Sequence, residues 1–326
     1  MDEVQEFLFN TQWNAASIDW FDADWSVRRY ARLTNDHGKK AILLQSPPDD
    51  SPDAMIGHMI GEWSSMNNHF QSINVNVPTI IKQDLNQAFI LMNDFGTDTI
   101  AGKGLDAYLK ATDILIQMRD HKDALSTPLL KYEDTHVYQA LRFFPLYTLS
   151  SLRRRPESNV NMDCGLRHND DFLVSEWFKT WSDIETSLPP CPRALTHIDY
   201  APQNLMWDNG EIGVIDFQAA CDGPFVYDLV NLLEDIRIDV PIDIKQSCKD
   251  HYCATLSPQD KERFDMWYPV ITAQFHARIL GQIQHLSKTR NNTRFMGFYD
   301  WNMKRFEQEI EHELLKQVKE FIRNNK

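Results

Sequence analysis

The sequence predicts an α+β fold of two lobes, a strand-rich first lobe over residues 1–95 and a mainly helical second lobe over residues 96–326. Three observations carry this. Short apolar-alternating runs punctuated by Gly and Pro crowd the first ninety-five residues. Long stretches with helical periodicity fill most of the rest. A single β-rich interruption at residues 193–217 breaks that helical pattern.

Taken in order, SVRRYARLT (26–34), the turn Asp36-His37-Gly38 and KKAILLQS (39–46) read as an antiparallel hairpin with glycine in the turn. Pro47-Pro48 stops the second strand, and Asp49 to Asp53 form a polar loop. Ser51-Pro52 then opens a helix with Met55, Ile56, Met59, Ile60 and Trp63 on one face. Strands around PTIIKQD (78–84) and AFILMN (88–93) complete the first lobe, which ends at Asp94-Phe95-Gly96. Helices are expected near 104–122, 132–153, 169–187, 225–238 and 258–288, followed by a C-terminal helix aligning Phe306, Ile310, Leu314 and Val318.

Composition narrows the function classes. A net charge of −14 argues against a nucleic-acid backbone as partner, since that role needs a basic face. No run approaches the roughly 20 apolar residues of a membrane span. The five cysteines are odd in number and fit reduced thiols in a cytoplasm. Cys248, His251 and Cys253 form one isolated cluster, without the second ligand pair of a zinc site. A monomer or dimer is expected.

The chemistry concentrates in the interruption. HIDYAPQN (197–204) precedes a hairpin whose turn is Asp208-Asn209-Gly210, and whose second strand ends Val214-Ile215-Asp216-Phe217-Gln218. Asp199, Asn204 and Asp216 thereby fall at the ends of adjacent short strands. Phosphoryl transfer needs this set: a carboxylate to orient and deprotonate a hydroxyl, and hard oxygen ligands to hold Mg²⁺ on the triphosphate. The competing reading makes both aspartates ordinary turn residues; the joint spacing of Asp, Asn, hairpin and second Asp disfavours it.

These residues resemble the aminoglycoside phosphotransferase superfamily, relatives of the protein kinases, and within it the bacterial anomeric kinases for N-acetylmuramate and N-acetylglucosamine. The likeness lies in HIDYAPQNL, DFQA and GPFVYDLVNLLEDIR, and upstream in SVRRYARL, ILLQSPP, FILMNDFG and RFFPLY. It implies a protein-kinase-like fold with ATP and Mg²⁺ as cofactors. Asp199 would be the catalytic base, Asn204 and Asp216 the metal ligands, and His197 and Asp228 the support of the catalytic loop. As a helix-start carboxylate, Asp228 has an equally ordinary reading. The resemblance further implies a nucleotide hinge over residues 91–96, including Asn93 and Asp94, and an acceptor pocket for which Phe144, Tyr147, Asp235 and Arg237 are candidates. The implied reaction phosphorylates a small-molecule acceptor, the anomeric hydroxyl of an N-acetylated amino sugar. The alternatives are an aminoglycoside, choline-like or other amino-alcohol acceptor, or a nucleotide-binding pseudokinase.

Three departures qualify the match. The strand that carries a phosphate-pairing lysine in protein kinases has Leu44 and Gln45 here, while Lys39 and Lys40 come too early. Arg28 or Arg29 is the candidate replacement cation, strand alternation allows only one of them to face the nucleotide, and solvent-facing strand arginines are the equal alternative. The phosphate-covering turn reads Ala23-Asp24-Trp25-Ser26, with Ser26 a nucleotide-binding candidate but without the usual glycine. Ile198 stands where arginine or glycine is usual. Without the lysine, Glu62 is expected to be exposed.

Overall fold

Alternating burial builds the first sheet. The computed structural model describes residues 3–21, 28–51, 59–149 and 168–325. β1 (Ser17–Trp20), β2 (Arg29–Thr34), β3 (Lys40–Gln45), β4 (Ile80–Asp84) and β5 (Phe89–Asn93) form one antiparallel sheet in the order β1-β2-β3-β5-β4. Ala31 and Leu33 of β2, Ala41 and Leu43 of β3, and Phe89 and Leu91 of β5 share one buried face. Val4, Phe7 and Leu8 of α1 (Glu3–Leu8) cover that face together with Trp13, and the Phe7 ring stacks on Phe89 at 5.1 Å. Neither α1 nor β1 is marked by any strong sequence signal, because six and four residues are too few to show a period.

The helix expected from Ser51-Pro52 is described from α2 (Ile60–Ser72) onward; Met55 and Ile56 lie outside the described residues. Glu62 is not simply exposed: its carboxylate accepts the Met59 amide, a bond across the first turn that satisfies an orphan donor.

The chain divides into two compact units, residues 1–127 with 199–220, and residues 128–198 with 221–326. The first contains the sheet, α1, α2, α3 (Leu105–Asp120) and a two-stranded hairpin, β7 (Leu205–Asp208) and β8 (Glu211–Val214). The second contains the β6 (Arg193–Thr196) and β9 (Cys221–Pro224) pair and the remaining helices: α4 (His136–Gln139), α5 (His168–Ser187), α6 (Tyr227–Leu233), α7 (Ile242–Ala254), α8 (Pro258–Arg290), α9 (Tyr299–Glu309) and α10 (Lys316–Asn325).

Two of the expected helices are broken up. The run over 225–238 is helical only for α6, and a turn at Asp235 separates it from α7. Near 132–153 the backbone passes from short 3₁₀ turns into a π-helical segment, Phe144–Leu149. α8 is capped as its ends require. Ser257 accepts the Asp260 amide, Pro258 occupies the first turn, and Asn291 closes the helix in the left-handed region (φ 50°). Phe306, Ile310 and Val318 all enter the second unit's core, although Glu313–Leu315 is a 3₁₀ turn and the stripe spans two helices.

Candidate active site

The hairpin signal at Asn209-Gly210 positions the chemistry. β7 and β8 pair in register from Leu205↔Val214 to Asp208↔Glu211, and Asn209 and Gly210 both adopt positive φ. One step beyond the strands, the Ile215 amide donates to the Asn204 carbonyl at 3.0 Å, so Asn204 and Asp216 leave the same end of the hairpin. Asn204 Nδ2 then donates to Asp199 twice, to its carbonyl and to Oδ2, each at 2.9 Å. The three residues are brought together within one unit.

The remaining acceptors follow from these bonds. Spending its NH₂ on Asp199 leaves the Asn204 amide oxygen unengaged. Gln218 Nε2 donates to Asp216 Oδ1 at 2.8 Å, which leaves Oδ2 as the second acceptor. One amide oxygen and one carboxylate oxygen are hard donors of the kind that hold Mg²⁺ when phosphate and water complete the shell, so the donor set fits that ion. Asp199 is exposed and able to meet an acceptor hydroxyl.

The hairpin is docked by backbone bonds that sequence reasoning did not foresee. The Ile100 amide donates to the Leu205 carbonyl, the Trp207 amide to Asp98, and the Val214 amide to Asn76. Asn76 Nδ2 returns a bond to the Ile212 carbonyl at 3.0 Å. Gly213 lies against the Phe95 ring, where a Cβ would meet ring carbons at 2.6 Å. Phe217 is fully buried, and Trp63 and Phe70 of α2 approach its ring at 5.2 and 5.4 Å, which tethers the Asp216 backbone (φ 64°) to that helix. Tyr200 hydroxyl donates to the Ala111 carbonyl of α3 at 3.0 Å. Trp63 was visible as part of an apolar helix face; its ring partner was not.

In the second unit, Asp228 clamps the entry to the loop. Its two carboxylate oxygens accept the amides of His197 (2.6 Å) and Ile198 (3.0 Å), and Asn231 Nδ2 donates to the Ile198 carbonyl at 3.1 Å. Ile198 has φ 74°, a conformation that costs a β-branched residue about 1–2 kcal/mol. Four buried residues, His197, Ile198, Asp228 and Asn231, over-determine it.

The two arginines separate as strand alternation requires. Arg28 is 5% exposed. Burial pushes the Tyr30 phenol up to about 12; the Arg28 charge opposes this and the Asp216 charge adds to it. Arg29 is turned to the opposite face. Its guanidinium lies 4.0 Å over the Trp20 ring and lines a cavity of about 610 Å³ with Glu3, Glu6 and Phe89. That removes Arg29 from the set around Asp216. Leu44, opposite Tyr30 in the sheet, is fully buried.

The side chains of the expected hinge are engaged by neighbouring strands and by the turn that follows. Asn93 accepts the Thr79 amide at 2.6 Å. Asp94 receives a forked pair from Arg32 (2.5 and 3.2 Å) and the Gly96 amide at 2.8 Å. Ser26 lies outside the described residues. Among the acceptor candidates, Phe144 requires correction. It is 1% exposed, stacked on Trp177 and edge-on to Phe306, so the π-helical turn directs its ring into the core with no open face. Tyr147 is half-buried against His285 at 4.8 Å. The Asp235 carboxylate is engaged by the Arg237 amide (2.7 Å) and guanidinium (2.5 Å).

Comparison with known proteins matches this geometry to a family. The profile of the phosphotransferase enzyme family matches residues 19–267. An N-acetylmuramate/N-acetylglucosamine kinase of Pseudomonas putida is 28% identical over 253 residues, covering 74% of this chain and 67% of that one. A protein of the same name from Neisseria meningitidis is 25% identical, covering 79% and 75%. Among solved structures, a choline/ethanolamine kinase family protein from Mesorhizobium loti superposes with a TM-score of 0.62 at 13% identity, covering 99% of this chain and 98% of that one. An amicoumacin kinase bound to AMP-PNP and Ca²⁺ superposes at 0.59 and 12% identity, covering 90% and 88%. These likenesses show the protein-kinase-like α+β fold. The chain therefore belongs to the phosphotransferase enzyme family and is an enzyme that phosphorylates a small-molecule hydroxyl.

Proposed function

We propose that this protein is an ATP- and Mg²⁺-dependent kinase for the anomeric hydroxyl of an N-acetylated amino sugar, acting in the cytoplasm. The observation that carries the reading is the convergence of Asp199, Asn204 and Asp216 at one end of the β7–β8 hairpin. The names of the curated relatives support the choice of acceptor.

In this reading Asp199 aligns the acceptor hydroxyl and takes its proton, assistance worth about 10²–10⁴-fold. Asn204 offers its amide oxygen and Asp216 its Oδ2 to the metal, while Gln218 holds the other Asp216 oxygen. Mg²⁺ supplies neutralisation of the charge on the transferring phosphoryl group. Arg28 supplies the cation that the Leu44 strand lacks, and its charge and that of Asp216 are both felt by the buried Tyr30 phenol, which stays protonated. Backbone groups of residues 91–96 grip adenine in the nucleotide-binding lobe, residues 1–95. His197 and Asp228 keep the loop in its strained form, and the helical lobe carries the acceptor pocket, with Tyr147, Asp235 and Arg237 among its residues.

The test is Mg²⁺-dependent ADP release with N-acetylmuramate, N-acetylglucosamine, aminoglycosides and choline in parallel. Turnover confined to the N-acetylated sugars, and lost by at least about 10²-fold in Asp199→Ala, is the expected result. Turnover only with amino-alcohols would replace the acceptor. Nucleotide binding with no turnover on any acceptor would make the protein a pseudokinase.

A further inference from the structure

The second unit treats its half-buried arginines alike, with one exception. Arg193 pairs with Glu133 (2.6 Å) and Asp222 (3.0 Å), Arg263 with Asp260 (2.9 Å), and Arg305 with Glu234. Arg278, half-buried on α8, has no carboxylate partner among the described residues. Its Nη1 donates to Gln282 Oε1 at 2.7 Å and its Nη2 to the Tyr227 hydroxyl at 3.3 Å. Its Nε is enclosed and meets no acceptor. The guanidinium lies 5.2 Å from the Phe275 ring centroid, and His136 and Tyr132 feel its charge.

A charge withdrawn from water without a counter-ion is costly, and folds keep such a group where a ligand supplies the missing charge. The chain carries an excess of acidic side chains, 47 against 33 basic, so carboxylates were available to pair this arginine. Its present partners are an amide and a phenol, neutral groups that an anion would outcompete. Tyr227 also adjoins Asp228, the residue that clamps His197 and Ile198, so the site is anchored to the catalytic-loop support by one peptide bond.

We infer that Arg278, with Tyr227 and Gln282, forms an anion subsite of the second unit that recognises a carboxylate on the phosphate acceptor. This rests on the sugar-kinase reading. In that acceptor class the carboxylate is the ether-linked lactyl group that distinguishes N-acetylmuramate from the neutral N-acetylglucosamine.

The experiment compares kcat/KM on the two sugars for the wild type, Arg278→Met and Arg278→Lys. A charge-assisted hydrogen bond to the carboxylate predicts that the N-acetylmuramate to N-acetylglucosamine ratio falls about 10–100-fold in Arg278→Met and partly recovers in Arg278→Lys. Thermal unfolding is the second readout. Removing an uncompensated charge leaves the melting temperature equal or higher, whereas a structural arginine would lower it. An unchanged ratio in a folded Arg278→Met variant overturns the inference. If the wild type uses neither sugar, the kinase reading for these acceptors fails, and calorimetric titration with D-lactate and with inorganic phosphate decides the subsite separately. Lactate binding that Arg278→Met abolishes supports it. Binding of phosphate alone, of neither anion, or of lactate equally by both proteins overturns it.

Discussion

The hairpin segment of the first unit and the π-helical turn of the second differ in how their candidate functional side chains are held. Residues 199–218 rest on rings at Gly213 and Phe217, but the polar side chains around them are placed by individual hydrogen bonds to carboxylates and carbonyls: Asn204 to Asp199, Gln218 to Asp216, Tyr200 to Ala111, Asn76 to Ile212. Phe144–Leu149 is placed by close packing. There α8 presents Gly281 to the backbone of Phe143 and Phe144, and Phe144 is enclosed by Trp177 and Phe306. Polar placement keeps side-chain oxygens available for chemistry, while close packing commits side chains to the core. The first region should therefore lose activity before stability, and the second stability before activity.

The largest effect is expected at Asp216. Asp216→Ala removes the oxygen proposed to hold the metal and the Gln218 bond, and turnover should fall by at least about a thousandfold with little change in the denaturant midpoint. A large loss of stability instead would erase the contrast between the regions. Asp228→Asn is the intermediate case, because one oxygen becomes an NH₂ facing an amide donor and the strained Ile198 loses part of its clamp. We expect a cost of about 1.5–3 kcal/mol in unfolding free energy. Displacing the loop by about 1 Å should also cost up to about a hundredfold in turnover. Both readouts should move together; a stability change alone would show that the loop holds its geometry without the clamp. The smallest effect is Gly281→Ala. Its methyl would overlap the Phe143–Phe144 backbone, which should cost about 1–3 kcal/mol in urea unfolding. Turnover per folded molecule should persist, and its loss would mean that the π-helical turn also shapes the acceptor site.

The same division explains what was legible. The meeting of Asp199, Asn204 and Asp216 could be read directly because a two-residue Asn-Gly turn fixes the register, and register fixes which strand ends meet. The replacement of lysine by Leu44 was equally plain, and period-2 alternation already allowed only one of Arg28 and Arg29 near the nucleotide. The choice between them needed the sheet, where α1 and Trp20 take Arg29 to the other face. Phe144 was misread because the backbone passes there from a 3₁₀ turn into a π-helical segment rather than through one α-helix, and a changed helical period changes which side chains point inward. Glu62 was misjudged because its bond is to the backbone amide of Met59, a partner no side-chain pattern advertises.

By itself the sequence determined the fold class, the hairpin and the convergence of Asp199, Asn204 and Asp216 at its end, since periodicity and a two-residue turn are local signals. Only the tertiary structure decided that Arg29 turns away toward Trp20 and α1, that Asp228 restrains a positive-φ isoleucine, and that Arg278 alone among the half-buried arginines described in the second unit lacks a carboxylate. Those outcomes depend on burial and on partners distant in the chain. Ile198 and Asp228 lie thirty residues apart, and their bond exists only because the fold closes that distance.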